Sequence, residues 1–323
     1  MWVLAIPIVI IILFISTVIF LLCKKWRIAA ASALCCLLLN MWSETFPLNL
    51  SRANEIKDGT FRIATYNIDC LGSGEKHEGW EIELMEFIDG ESPDILFLAE
   101  FQYHKGAYDY LLDSISKTFF FRSVVDVKYG RKDVIYSKYP IKNFSIIDIN
   151  PAYCQSEELY KEITEKYYQG LKPMIYNVTV DVNGEDIQFI CCHLASNEFN
   201  VAKKQVGNKG IGVVLRNLTK GYLYREIEAR SIVEEIESKD RVVLMGDLND
   251  IGGSSVLSIF KAAGLKDAWW QAGRGYGFTY YKQGLYYCLD HIMISDKITV
   301  QNIRIPKCNA SDHYPLVADI KIE

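Results

Sequence analysis

The sequence predicts an α+β domain built on two packed β-sheets, held behind an N-terminal membrane anchor. Three observations predict it. Residues 1–43 contain two uncharged apolar runs. From Thr60 onward the pattern changes to short apolar runs separated by turn residues, the pattern of strands. Helical stretches are fewer than these strands and lie between them, so the core must be made by sheets packing on each other.

The first run, "WVLAIPIVIIILFISTVIFLL" (2–22), carries no charge, and its only polar residues are Ser16 and Thr17. At about 1.5 Å per residue it spans the roughly 30 Å hydrocarbon core of a bilayer. A helix buried in a soluble core would show a polar face, and this run has none. No basic stretch precedes it, so it reads as a retained span rather than a cleaved signal. "KKWR" follows, and then "IAAASALCCLLLNMW" (28–42), again uncharged. That run is short for a span, and snorkelling by Arg27 with an interfacial Trp42 would extend it. One or two transmembrane helices are therefore expected. Lys24, Lys25 and Arg27 should stay cytoplasmic. With two spans, the rest of the chain lies outside the cytoplasm, on an inner or plasma membrane. With one span it would be cytoplasmic. Residues 44–59, polar and carrying Pro47 and Asp58-Gly59, read as a linker to a single domain over 60–323.

In that domain "FRIATYNI", "DILFLAE", "DVIYSKYPI", "MIYNVTVDV", "DIQFICCHL", "RVVLMGDLN", "LDHIMIS" and "PLVADIKI" read as strands. Asn183-Gly184 marks a hairpin turn. "GWEIELMEFIDGE" (79–91) and "GYLYREIEARSIVEEIESKD" (221–240) read as helices. No repeat or low-complexity stretch occurs. Half of the residues are hydrophobic, enough for a large core. Net charge is −5, and because residues 1–59 carry +2 the domain is acidic, which argues against coating nucleic acid by charge alone. A basic, glycine-dotted segment (201–221) with Lys203, Lys204, Lys209, Arg216 and Lys220 reads either as a solvated loop or as a rim that steers phosphate. The nine cysteines form no CxxC pair and no zinc pattern. They read as small apolar filler, with Cys191 and Cys192 facing opposite ways.

Polar residues at strand ends carry the functional signal. Asn67 closes "RIATYN", Glu100 closes "DILFLAE" and His193 closes "FICCH". Asp247 and Asn249 close "VVLMGDLN", Asp290 sits in "CLDHIMI", and Asp312 and His313 open "SDHYPLVADI". Singly, each also reads as a turn residue or a satisfied structural group. Drawn from the whole domain, together they imply one shared pocket. Asp247 and Asn249, two apart on an extended chain, would point the same way, with Asp250 capping the following turn.

These blocks, in this order, resemble the endonuclease/exonuclease/phosphatase superfamily of metal-dependent phosphoesterases. That superfamily includes pancreatic-type deoxyribonuclease, abasic-site endonucleases, inositol-polyphosphate 5-phosphatases and neutral sphingomyelinases. "GDLN", followed much later by "SDH" before a final strand, is the strongest element, and the likeness covers residues 60–323. The resemblance implies a four-layer α/β/β/α sandwich and a site for Mg²⁺ or Mn²⁺, ions that favour hard oxygen ligands. By motif position it makes Glu100 the principal metal ligand, with Asn67 and Asp312 assisting. Asp247 would position or deprotonate the attacking water, and Asn249 would hold phosphate or that water. His313, oriented by Asp290, would stabilise the developing oxyanion or exchange a proton. His193 would bind phosphate or protonate the leaving oxygen. Two positions depart from the common pattern: Ala99 stands where many members have Gln, and His291 where many have Tyr.

The expected function is a membrane-anchored phosphodiesterase, with a nuclease slightly favoured. A lipid phosphodiesterase or phosphatase, sphingomyelinase-like or acting on inositol phosphates, is the alternative. There the aromatic stretch "WWQAGRGYGFTYYKQGLYY" (269–287) would either touch an interface or pack on the sheet. A catalytically inactive binding module is the third reading. The partners implied are a phosphodiester substrate (nucleic acid, phospholipid or phosphorylated small molecule) and the membrane, with no obligate protein partner.

Overall fold

The computed structural model describes residues 2–50, 57–69, 79–102, 107–126, 131–196, 210–236, 240–282 and 285–323. Its strands, in chain order, are β1 (Leu48–Asn49), β2 (Phe61–Asn67), β3 (Ile95–Gln102), β4 (Phe121–Asp126), β5 (Arg131–Ser137), β6 (Ile141–Ile146), β7 (Ile175–Val182), β8 (Glu185–His193), β9 (Val242–Asp247), β10 (Lys266–Asp267), β11 (Gly275–Tyr276), β12 (Tyr280–Lys282), β13 (Leu285–Tyr287), β14 (Asp290–Ile294), β15 (Ile298–Arg304) and β16 (Leu316–Ile322). Six form a sheet in the order β15-β16-β2-β3-β5-β4, and six more form a second in the order β10-β14-β9-β8-β7-β6. Both are mixed, since β2–β3 and β8–β9 are parallel while their neighbours are antiparallel.

Strands buried on both faces explain the near-continuous apolar runs. In β3, Ile95, Phe97 and Ala99 face the second sheet, packing in one core with Val178, Phe189, Met245 and Ile292. Leu96 and Leu98 face the other way, onto Leu84, Phe87 and Ile88 of the helix Trp80–Glu91 and Leu111 and Ile115 of the helix Ala107–Ser116. The outer face of the second sheet is covered by Ala229 and Ile232 of the helix Gly210–Glu234 and by Val256, Leu257 and Phe260 of the helix Ser255–Ala262. Helices thus flank two packed sheets, as expected. Cys191 belongs to the inner core and Cys192 to the outer one, and every cysteine among the described residues is free.

Gly246 fixes how β8 and β9 meet. Its φ is +143°, and a Cβ there would lie 1.8 Å from the carbonyl oxygen of Cys192. Only glycine lets the two parallel strands approach, which brings the ends of both into register. Gly246→Ala is expected to cost about 3 kcal/mol or more, from backbone strain plus the clash, read as a fall in the thermal midpoint.

Both N-terminal runs are helical: α1 (Trp2–Leu22) and α2 (Trp26–Ser43), joined at Lys24. They lie side by side. The Ser32 hydroxyl donates to Leu13 O (2.9 Å) and the Cys36 thiol to Ile10 O (3.6 Å), while small Ala29 lets the backbones close up. Among the described residues, which in α1 include side chains only from Val9, no helix is long and apolar enough to cross a membrane. The helical part of the expectation therefore holds, and the membrane crossing is not shown. The linker is more structured than expected. β1 pairs with β11, and the Trp269 indole donates to Pro47 O (2.9 Å). Residues 51–56 lie outside the described residues.

Candidate active site

Register brings the site together before any side chain is considered. His193 is opposite Asp247 in the β8–β9 pair, and Asp247 is opposite Asp290 in the β9–β14 pair. Three strand ends of one sheet thus line up a histidine and two carboxylates. From the facing sheet, the Asn67 amide donates to Asp247 Oδ2 (2.9 Å), spanning the gap between the sheets.

Glu100 needs a special backbone to reach this point. Its φ is +56°, and the pairing of β3 with β5 slips between Leu98 and Phe101. A bulge of this kind turns a side chain out of the regular alternation. Asp133, fully buried on β5, holds the bulge: its Oδ1 accepts the Glu100 N–H (2.9 Å) and its Oδ2 the Tyr176 hydroxyl (2.6 Å). Glu100 Oε1 lies 3.5 Å from His193 Nε2, and its other oxygen pairs with Arg131.

Asp247 is the centre. Its Oδ1 accepts the Asn249 N–H (2.8 Å), while Oδ2 lies 3.7 Å from His193 Nε2 and 3.8 Å from His313 Nε2. Asp290 Oδ2 is 2.8 Å from His313 Nδ1, which orients that ring. Burial opposes protonation of His313, but Asp290 and then Asp247 outweigh it and hold its pKa up at about 10. Asp290 is pushed up by burial, against the pull of His313. Asp312 is partly buried next to His313 and adds to the same negative field. The Tyr280 ring packs against the His313 ring at 4.7 Å between centroids.

Seven of the eight residues singled out in the sequence are tied together by these contacts, and Asp312 joins them through its charge on His313, with three corrections. Glu100 does not close its strand, since β3 runs on to Gln102. Asn249 is not on an extended strand. β9 ends at Asp247, and Asn249 turns to φ +49°, with its side chain donating to Leu194 O (2.9 Å). Asp247, two residues earlier, makes an Asx turn, and asparagine tolerates the left-handed conformation that follows it. Asp250 does accept the Ile251 N–H (3.0 Å), but it is also buried against Arg225 (Nε–Oδ2 3.2 Å), a partner the sequence did not reveal.

That partner belongs to a polar network beneath the site. Arg225 and Glu228, both fully buried on the helix Gly210–Glu234, grip Ala195, just after His193: Arg225 donates to Ala195 O (2.8 Å), and Glu228 accepts Ala195 N–H (2.9 Å). The Tyr168 hydroxyl donates to Glu228 as well. His291, at the position where Tyr was anticipated, pairs with Asp267 (2.8 Å) and reaches Asp250 O (3.2 Å). Sequence reading missed these groups because charges on a helix normally face water; the signal was the spacing of 225 and 228, which places both on one helix face.

Burial raises Glu228 to about 7 from the ordinary 4.5. Its folded pKa is the higher one, so its stabilising contribution is complete below pH 4.5 and is lost as pH rises through 7. Denaturant titrations at pH 4.5 and 8 should show about 3 kcal/mol lost by the parent through this group, a dependence absent in Glu228→Gln.

Do these residues fit a divalent cation? Asp247, Asp290 and His313 each bring a ligand atom to within 4.8 Å of the others. Asp290 Oδ1 and His193 Nδ1 are buried without a hydrogen-bond partner, and several buried carboxylates face each other. An unsatisfied carboxylate oxygen in a dense negative cluster suits a hard cation. This grouping differs from the expected trio of Asn67, Glu100 and Asp312: Glu100 adjoins it through His193, and the Asn67 amide adjoins it by donating to Asp247 while its oxygen accepts the Asp69 N–H (3.0 Å).

Two packed mixed sheets with such a cluster at their strand ends define a metal-dependent phosphoester hydrolase. The chain belongs to the endonuclease/exonuclease/phosphatase family, whose model matches residues 64–313. No curated protein sequence matches it. Among solved structures, D. rerio TDP2 complexed with single strand DNA product is similar at 16% identity and a TM-score of 0.58, covering 82% of this chain and 100% of that one. The human Nocturnin catalytic domain with bound sulfate anion is similar at 16% identity and a TM-score of 0.57, covering 83% and 96%. Beta toxin 275-280 from Staphylococcus aureus is similar at 17% identity and a TM-score of 0.53, covering 80% and 99%. At such identities the likeness concerns the fold.

Proposed function

We propose that this protein is a membrane-anchored, Mg²⁺- or Mn²⁺-dependent phosphodiesterase. The anchor is residues 1–43, the linker 44–59 and the catalytic domain 60–323. The observation that carries the activity is the buried cluster in which Asn67 and His193 meet Asp247, Glu100 meets His193, and His313 is backed by Asp290. Glu100, with Asn67 and Asp312, is assigned to hold the ion alongside the Asp247 cluster; bound there, it would neutralise phosphate charge. Asp247 takes the proton of the attacking water as its oxygen bonds to phosphorus. His193 gives a proton to the leaving oxygen as the ester P–O bond breaks. Protonated His313 faces the charge that grows on the phosphoryl oxygens. Asn249 is assigned to the attacking water: its amide N–H2 donates to Leu194 O, which leaves its carbonyl oxygen to accept from that water.

The anchoring reading rests on the helical hairpin. Phe14, Leu22, Leu37 and Met41 are more than half exposed, and such a surface is too apolar to face water. Lys24, Lys25 and Arg27 at its turn would stay cytoplasmic and put the catalytic domain outside. A C-terminal tag on intact cells is expected to be cleaved by added protease; full protection would overturn this topology.

For the substrate, the expected nuclease character depended on the basic segment 201–221. Residues 201–209 lie outside the described ones, and Lys220 is paired with Glu162. The full chain in detergent should be given plasmid DNA, single-stranded RNA, sphingomyelin, phosphatidylcholine and inositol phosphates, each with Mg²⁺ and with EDTA. Metal-dependent release from at least one phosphodiester is expected. No turnover in any metal would leave the inactive binding module.

A further inference from the structure

We propose that an exposed row of tyrosines beside the catalytic cluster lies on the bilayer surface, so that the substrate is a phosphodiester of a membrane lipid headgroup. This deepens, and rests on, the anchored phosphodiesterase reading above.

The row is built from the stretch Gly275–Tyr287. The β12–β13 ribbon pairs Tyr280 with Tyr287 and Tyr281 with Tyr286, so the two pairs occupy opposite faces. Tyr280 packs on His313, on the catalytic side. On the other face Tyr281 meets Tyr286 at 4.6 Å, Tyr286 meets Phe278 at 5.8 Å, and Phe278 stacks on Tyr276 at 5.7 Å. Tyr276, Tyr281 and Tyr286 are 65%, 39% and 54% exposed. An apolar ring with a polar tip is the side chain that settles where hydrocarbon meets headgroups.

The linker places this row beside the membrane. Tyr276 lies across from Leu48 in the β1–β11 pair, and Leu50 next to it is 82% exposed. The Asn40 amide, in the last turn of α2, accepts the Phe46 N–H (2.8 Å) and donates to Phe46 O (3.1 Å). Leu48 therefore begins within about 7 Å of chain from that clasp. The catalytic loop abuts the same exit, because a Cβ on Gly252 would lie 1.8 Å from Glu44 O, and Lys261 pairs with Glu44. The row, the loop after Asp247 and the end of the hairpin thus share one edge of the molecule. Aromatic rows also stack bases of single-stranded nucleic acid. Here Tyr276 and Phe278 stack on each other, 7° from parallel, so one face of each ring is already taken, and Leu48 with the exposed Leu50 continues the row in apolar side chains. Both features favour the bilayer.

The test uses full-length protein reconstituted in vesicles of phosphatidylcholine and phosphatidylglycerol. Fluorescence added by Tyr286→Trp, read as the difference from the parent, should fall by half or more when brominated phosphatidylcholine replaces the ordinary lipid. Lipid headgroup release by Tyr276→Ser/Tyr286→Ser should drop tenfold or more, while hydrolysis of bis(p-nitrophenyl) phosphate in detergent stays within twofold of the parent. Unquenched fluorescence from the Tyr286→Trp variant overturns the proposal, as does an equal loss on both substrates. Quenching by single-stranded DNA but not by bromolipid would assign the row to nucleic acid instead. Bromolipid quenching of the Tyr286→Trp variant, with a parent inert on every phosphodiester, would fail the phosphodiesterase reading alone. Release of the protein by alkaline carbonate would fail the anchor alone.

Discussion

Asp247→Asn is expected to lower kcat/KM by roughly a thousandfold or more, about 4 kcal/mol of transition-state stabilisation, with the fold retained. Asp247 lies within 4 Å of both site histidines, and it also accepts from Asn67 and from the Asn249 backbone. Asparagine keeps the size and one acceptor oxygen, so the Asx turn that follows β9 survives. It cannot take a proton from water at any useful pH, and it removes a charge from the middle of the cation-binding cluster. The bridge between the sheets weakens too, because keeping the oxygen on the Asn249 N–H turns the new amide nitrogen toward the Asn67 amide. Single-turnover hydrolysis at saturating Mg²⁺ separates lost chemistry from lost metal binding. Activity within tenfold of the parent would remove Asp247 from the role of base.

How much of this could be read beforehand depends on where each residue takes its conformation from. The strands that end in Asn67, His193 and Asp247, and the one that carries Glu100 at its bulge, are buried on both faces, so their apolar runs stand out. β15 was missed because "ITVQNIR" alternates with polar residues and leaves only half its face to the core. The helix Ser255–Ala262 is short, and its start depends on one cap, Ser254 accepting from Leu257 N–H (3.2 Å). The helix Gly210–Glu234 begins eleven residues before the expected 221, running through a glycine-dotted stretch whose propensity argues against it. The site followed the same rule. Residues at strand ends were visible because a polar side chain interrupts an apolar run. Asp133, Arg225 and Glu228 were not, because each is a charged residue whose burial is set by a partner far away in sequence. The left-handed turn of Glu100 was equally hidden, since nothing local to "FLAEF" requires a bulge; Asp133 does, from another strand.

His313→Ala and Asp290→Asn test whether the second carboxylate acts only through its histidine. His313→Ala is expected to lower kcat by about a thousandfold, the loss typical of a group that meets charge in the transition state. Asp290→Asn should cost less, because the ring keeps a hydrogen-bonding neighbour at Nδ1 and its packing on Tyr280. The double variant should be no slower than His313→Ala by itself, since residues that act as one unit are non-additive. The pH profile gives a second readout. Asp290 is the largest influence holding His313 up at about 10, against the opposing effect of burial. Without that carboxylate the imidazolium releases its proton earlier, so the alkaline limb of kcat/KM should move to lower pH in Asp290→Asn. Equal limbs in parent and variant, together with additive losses in the double variant, would mean that Asp290 serves the cation rather than the ring. The partnerless oxygen Oδ1 of Asp290 makes that a real competitor, and the metal dependence of the single variant decides it: a role confined to the ring leaves the Mg²⁺ concentration for half-maximal rate unchanged.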